Sequence, residues 1–116
     1  MDRRKELKEL YKNMKPEMGI FIIRNNFDQR CYIEATQDLK SKINSTKFKL
    51  DSGLHPNKEL QNDWKTNNGS DFMIEVLENL NYVEDGFQED YSEELKLLKM
   101  IWEEKLIKSG CEFYKK

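Results

Sequence analysis

Cysteine, proline and histidine are scarce in this sequence, and each scarcity closes off a class of structure. Two cysteines in 116 residues, Cys31 and Cys111, form no metal-ligand or redox spacing. Cys31 lies in an apolar stretch and reads as a small buried hydrophobe. The chain has no Pro- or Gly-rich tract, no low-complexity segment and no internal repeat, so nothing marks a linker between domains. Long apolar runs are missing as well: none approaches the roughly 20 residues that cross a bilayer. The opening M-D-R-R-K-E-L has no signal-peptide core. The expectation is one soluble, cytoplasmic domain with a modest core and no membrane partner. Charge of one sign is not in excess either, since the net charge is −2.

That near-neutrality hides a division. Residues 1–50 hold twelve Lys/Arg against seven Asp/Glu, a balance of +5, while residues 51–116 hold eight against fifteen, a balance of −7. The basic half could offer a local phosphate-facing surface, although from composition alone an ordinary mixed-charge surface is the plainer reading.

The densest apolar run is M-G-I-F-I-I-R-N-N-F-D-Q-R-C-Y-I-E-A-T, from Met18 to Thr36. Ile20 to Ile23 are β-branched or aromatic and suit a strand buried on both faces. Asn25, Asn26 and Asp28 supply a turn, and Cys31 to Ile33 a second strand, so the stretch reads as a β-hairpin with Phe27 tucked under its turn. Gly19 implies a close backbone approach or a special dihedral.

Around the hairpin the period changes to that of helices. Leu7, Leu10, Tyr11 and Met14 predict an amphipathic helix over residues 2–14, ended by Lys15-Pro16. Thr36 is expected to cap a helix carrying Leu39, Ile43 and Leu50, with Lys42 on the flank of that stripe. His55-Pro56-Asn57 opens the next helix, with Leu60 and Trp64 on one face, and Asn68-Gly69 stops it. Asp71 to Leu77 reads as a third strand, 79–90 as an acidic loop, and Tyr91 to about Ser109 as a long helix. Its buried seam is Tyr91, Leu95, Leu98, Trp102 and Leu106. Three short strands need helical cover. The expected fold is therefore α+β, a small three-stranded antiparallel sheet flanked by helices. An N-terminal helix (1–16) packs on a domain spanning 17–116.

The hairpin also carries a family resemblance. Gly19-Ile20-Phe21 and Tyr32-Ile33-Glu34 resemble the paired triplets of the GIY-YIG nucleases, each altered at one position. Gly53 to Gln61 (G-L-H-P-N-K-E-L-Q), Asn68-Gly69 and Phe72 to Glu78 follow in an order similar to that of phage-type homing nucleases. The resemblance runs from Met18 to about Leu106 and is strongest to small bacterial members grouped with regulators as LuxR-like. It implies a ββααβα core and phosphodiester hydrolysis assisted by one divalent ion, Mg²⁺ or Mn²⁺. A hard cation takes carboxylate oxygen, and a dianionic transition state takes cationic stabilisation.

Carried over position by position, the first-triplet tyrosine falls on Phe21, which has no phenolic oxygen, and the second on Tyr32, which is retained. The triplet glycine falls on Glu34 and the phosphate-holding arginine on Lys42, which keeps the charge without the bidentate fork. The family's histidine falls on His55. The metal-binding glutamate falls on Glu94 when the apolar pattern of Leu97, Leu98 and Ile101 is matched, and on Lys99 when Trp102 is.

The catalytic candidates are thus Tyr32, Lys42 and His55, the metal candidate Glu94, and the nucleic-acid-binding candidates Lys40, Lys42 and Lys47, with Lys49 on the same helix. Each also has a plain structural reading: Phe21 as core, Tyr32 as a strand aromatic, Lys42 as a solvated lysine, His55 as a helix-start residue, and Glu94 as a favourable charge at a helix start. The implied function is a nucleic-acid-directed domain, DNA foremost, with chemistry lost or reduced. One alternative is an active endonuclease in which Glu34, His55 or water replaces the missing phenol. The other is a scaffold that binds a protein through the acidic 79–94 segment.

Overall fold

A computed structural model describes residues 15–83, 88 and 90–115. The expected helix over residues 2–14 lies outside these described residues. Strand β1 (Met18–Asn25) is the spine, and every residue in it but Arg24 is buried. Its alternation serves two cores. Phe21 and Ile23 face Leu39, Leu50, Leu60 and Trp64, whereas Ile20 and Ile22 face Ile33 and Leu106. A strand covered on both sides can be continuously apolar, which is why Ile20 to Ile23 needs no polar interruption.

Strand β2 (Arg30–Thr36) pairs antiparallel with β1, placing Ile23 beside Tyr32 and Phe21 beside Glu34. Strand β3 (Phe72–Leu80) pairs antiparallel on the other side of β1, with a register shift between Ile20 and Phe21. Gly19 meets the close approach its position implied: a Cβ there would stand 2.0 Å from the carbonyl oxygen of Glu78. No side chain fits that gap.

The helices are α1 (Leu39–Ser52) and α2 (Lys58–Asn67) on one face, and α3 (Ser92–Lys108) on the other. Buried Tyr91, Leu95 and Leu106, with half-buried Leu98 and Trp102, turn α3 towards the sheet. Leu97, Met100, Ile101 and Ile107 form an exposed apolar row on the same helix. Among the described residues no helix is long and apolar enough to cross a membrane.

The α+β architecture matches the expectation, with local differences. A fourth strand, β4 (Glu112–Phe113), pairs parallel to β2, so the sheet is mixed with order β3-β1-β2-β4. Two residues carry no readable period, and the pairing is fixed from outside by the Tyr114 amide donating to the Cys31 carbonyl at 3.0 Å. Strand β3 runs to Leu80, beyond the expected Leu77, because Met18 and Gly19 offer it partners. The cap of α1 is Asp38, whose carboxylate accepts from the Ser41 amide at 3.1 Å; Thr36 ends β2 and accepts from the Asp38 amide instead.

Phe27 is not tucked under the turn but is 85% exposed. The Asn25 side chain takes the space beneath, accepting from the Phe27 amide and donating to the Tyr114 hydroxyl, both at 3.0 Å. Once that polar pair fills the site, an aromatic ring has no room there.

Candidate nucleic-acid site

Alternation along β2 turns Arg30, Tyr32 and Glu34 to the face that α1 and α2 cover. The three residues meet different partners, and Tyr32 and Glu34 build the candidate site. The half-buried Tyr32 ring stands edge-on to His55, with centroids 5.3 Å apart and planes at 86°. The Tyr32 hydroxyl donates to Glu34 Oε2 at 3.4 Å. The other carboxylate oxygen, Oε1, lies 3.2 Å from Lys42 Nζ. Tyr32, Lys42 and His55 are therefore brought together: Glu34 links Tyr32 to Lys42, and His55 joins through the ring of Tyr32.

His55 is held by the sequence around it. Its amide donates to Gln61 Oε1 at 2.9 Å, while Gln61 Nε2 donates to the Leu50 carbonyl at 2.8 Å. Gln61 thus fastens the α1–α2 connection around the histidine. The Asn57 amide donates to His55 Nδ1 at 3.0 Å, and Asn57 then caps α2 by accepting from the Leu60 amide. With Nδ1 accepting, the neutral ring carries its proton on Nε2. Burial lowers the His55 pKa below its ordinary value, and the Lys49 and Lys42 charges push the same way against Glu34. Burial, reinforced by the Glu34 charge, pushes the Tyr32 phenol up to about 12.

These states define what the cluster can do. Tyr32 is a neutral phenol that donates to a carboxylate. His55 offers an Nε2–H donor, and its one acceptor nitrogen is already engaged. Phe21, beside Glu34 in register, is wholly buried and has no oxygen. The arrangement can hold and orient an anion with Lys42, Tyr32 and His55, but none of these side chains is poised to take a proton from water.

The remaining candidates lie elsewhere. Seven residues bring a helix back to within about 20° of the same side, whereas two turn it by about 200°. Lys42 and Lys49 therefore share the half-buried flank beside His55, and exposed Lys40 and Lys47 share the other. Glu94 is on α3, across the sheet, exposed, and accepts from Gln88 Nε2 at 3.0 Å. Lys99, the other match, is half-buried and lies 4.0 Å from Glu103. Among the described residues no three His, Cys, Asp or Glu side chains converge on a metal position. A lone exposed carboxylate is no preformed cage for a divalent ion, so these residues do not fit a resident metal.

At the turn end of β2 stands a constellation that sequence reasoning missed. Arg30 reaches Asp28 at 2.8 Å, Glu59 at 2.6 Å and Asp63 at 3.1 Å, and lies over the Tyr114 ring at 5.0 Å. The Tyr114 hydroxyl in turn donates to Asp63 at 3.0 Å. The bond to Asp28, opposed by partial burial and helped by Glu59, raises the Arg30 pKa still further. This clamp fixes α2, and with it His55, against the hairpin. Its only sequence signal was an arginine bordering a turn. Gln61, inside the quoted L-Q pair, could have been noticed as a polar residue on a helix's apolar side.

Two solved structures share the fold. The catalytic domain of the homing endonuclease I-TevI superposes with a TM-score of 0.64 at 20% identity, covering 85% of this chain and 99% of that one. A point mutant of the catalytic domain of intron endonuclease I-TevI gives 0.50 at 24% identity, covering 72% and 84%. At such identities the likeness is one of fold. No protein-family model matches the chain, and no curated protein matches it.

Proposed function

We propose that this chain is a nucleic-acid-directed domain built on the nuclease fold, with phosphodiester hydrolysis weakened or lost. The observation that carries the reading is the protonation pattern at the site: a buried Phe21, a neutral Tyr32 and a His55 whose acceptor nitrogen is occupied. The fold, the two lysines beside His55 and the hydrogen-bond donors around them favour a phosphate-bearing partner, DNA foremost. The order of landmarks from Gly53 to Glu78 resembles that of phage-type homing nucleases, and in this reading the chain as a whole is kin to the small bacterial LuxR-like members. Tyr32, Lys42 and His55 act in this reading as phosphate-orienting groups, while Lys40 and Lys47 add attraction from the far flank of α1.

The test is incubation with supercoiled plasmid and with branched DNA in Mg²⁺ or Mn²⁺. The wild type is expected to nick weakly or not at all, since general acid–base assistance is worth about 10²–10⁴-fold. Phe21→Tyr is expected to raise whatever activity exists. Robust Mg²⁺-dependent cleavage by the wild type, abolished in Glu94→Gln, would overturn the reading in favour of an active endonuclease.

A further inference from the structure

We propose that Glu34 is a built-in counter-anion that occupies the phosphate position of the site, so that nucleic acid must displace its carboxylate from Lys42 before that lysine can contact a phosphate. The inference rests on the nucleic-acid reading above and adds to it what governs access to the site. The Glu34 carboxylate presents two oxygens to two donors, one to Lys42 Nζ at 3.2 Å and one to the Tyr32 hydroxyl at 3.4 Å. Two non-bridging phosphate oxygens would make the same demands of the same groups. Glu34 is held there by its backbone, paired with Phe21 in the β1–β2 ladder two residues before the strand ends at Thr36. The ion pair is only partly shielded, with 37% of the Lys42 side chain and 24% of the Glu34 side chain accessible. Pairs so exposed are weak and can be exchanged for a competing anion. With His55 neutral, the site carries the charges of Lys42, Lys49 and Glu34, one positive charge in sum where two would stand without the carboxylate.

The deciding experiment is a set of binding titrations with a fluorescent 20-base-pair duplex at several salt concentrations. The proteins are the wild type, Glu34→Gln, Lys42→Gln, the double variant, and Glu112→Gln as a charge control at an exposed position on β4. Glu34→Gln is expected to bind about tenfold tighter at 0.05–0.1 M salt. The slope of log affinity against log salt should steepen by about 0.9, the signature of one added phosphate contact. In the Lys42→Gln background the same substitution should change affinity no more than Glu112→Gln does. A gain that persists without Lys42 means that Glu34 acts by general repulsion, and the inference falls while the nucleic-acid reading stands. Equal binding by the wild type and Glu34→Gln also overturns it. No binding by any of the five proteins overturns the nucleic-acid reading itself, and the inference with it. A thermal melt of each variant confirms that the titrations compare folded proteins.

Discussion

The two ends of strand β2 solve the same electrostatic problem in opposite ways. At the turn end, one arginine is surrounded by three carboxylates and an aromatic ring, and its partners belong to the turn, α2 and the segment after β4. At the other end, one carboxylate meets one lysine and one phenol, within the strand and the adjoining helix α1. The first arrangement joins distant parts of the chain through a planar, multiply bonded cation and has donors matched to acceptors on every side. The second joins near neighbours through a flexible lysine and can be undone without separating any two elements. A strand face can thus carry a multiply bonded clamp and a single partly exposed ion pair four residues apart, and partner number tells them apart.

Both ends depend on the hairpin itself, so the largest effect should come from striking beneath them. Ile22→Asp or Ile23→Asp would bury a carboxylate with no assured partner, at a cost of several kcal/mol against a total stability of about 5–15 kcal/mol. Both variants are expected to lose the cooperative melt, and a soluble, cooperatively melting pair would refute the burial of β1.

The next test separates the two ends. Arg30→Ala removes the shared partner of Asp28, Glu59 and Asp63 together with the contact on Tyr114, and should cost about 1–3 kcal/mol in denaturant unfolding. Glu34→Gln should cost under about 1 kcal/mol, as partly exposed ion pairs do. Equal losses would erase the distinction between clamp and site.

The smallest effect concerns His55. Its folded-state pKa lies below the unfolded value of 6.5 because burial disfavours the cation. The unfolded chain therefore takes up the proton first. The stability held at pH 7 and above is lost as pH falls through 6.5 towards the lower folded value. Unfolding free energies of the wild type and His55→Gln, measured from pH 7.5 to 5, should converge as pH falls. A constant difference would mean that the ring titrates alike in both states.

Much of this was legible because local rules governed it. Ile20 to Ile23 announced a doubly covered strand, Gly19 a close approach, and Lys42 a place on the flank of α1. What stayed hidden depended on partners far away in sequence. Nothing near Phe27 says that Tyr114 will hold Asn25 in the space beneath the turn, and nothing near Glu112 says that β2 will accept it in parallel. Glu34 was legible as an altered triplet residue, yet its bridging of Tyr32 and Lys42 required α1 to be placed. Lys40 and Lys47 were read as one surface with Lys42, whereas a helix turning about 100° per residue separates them.

The reach of Tyr114 bears on the order of folding. Its hydroxyl bonds Asn25, 89 residues earlier in the chain, and Asp63, 51 residues earlier. Contacts of such span are made against a large loop-closure entropy and arrive late. Strands β1 and β2 can pair as soon as they exist, but the base of their turn closes only when the far end of the chain comes home. The part of the clamp that Tyr114 supplies is therefore expected to form late, and a chain stalled before that step would have its hairpin without a finished base to the turn.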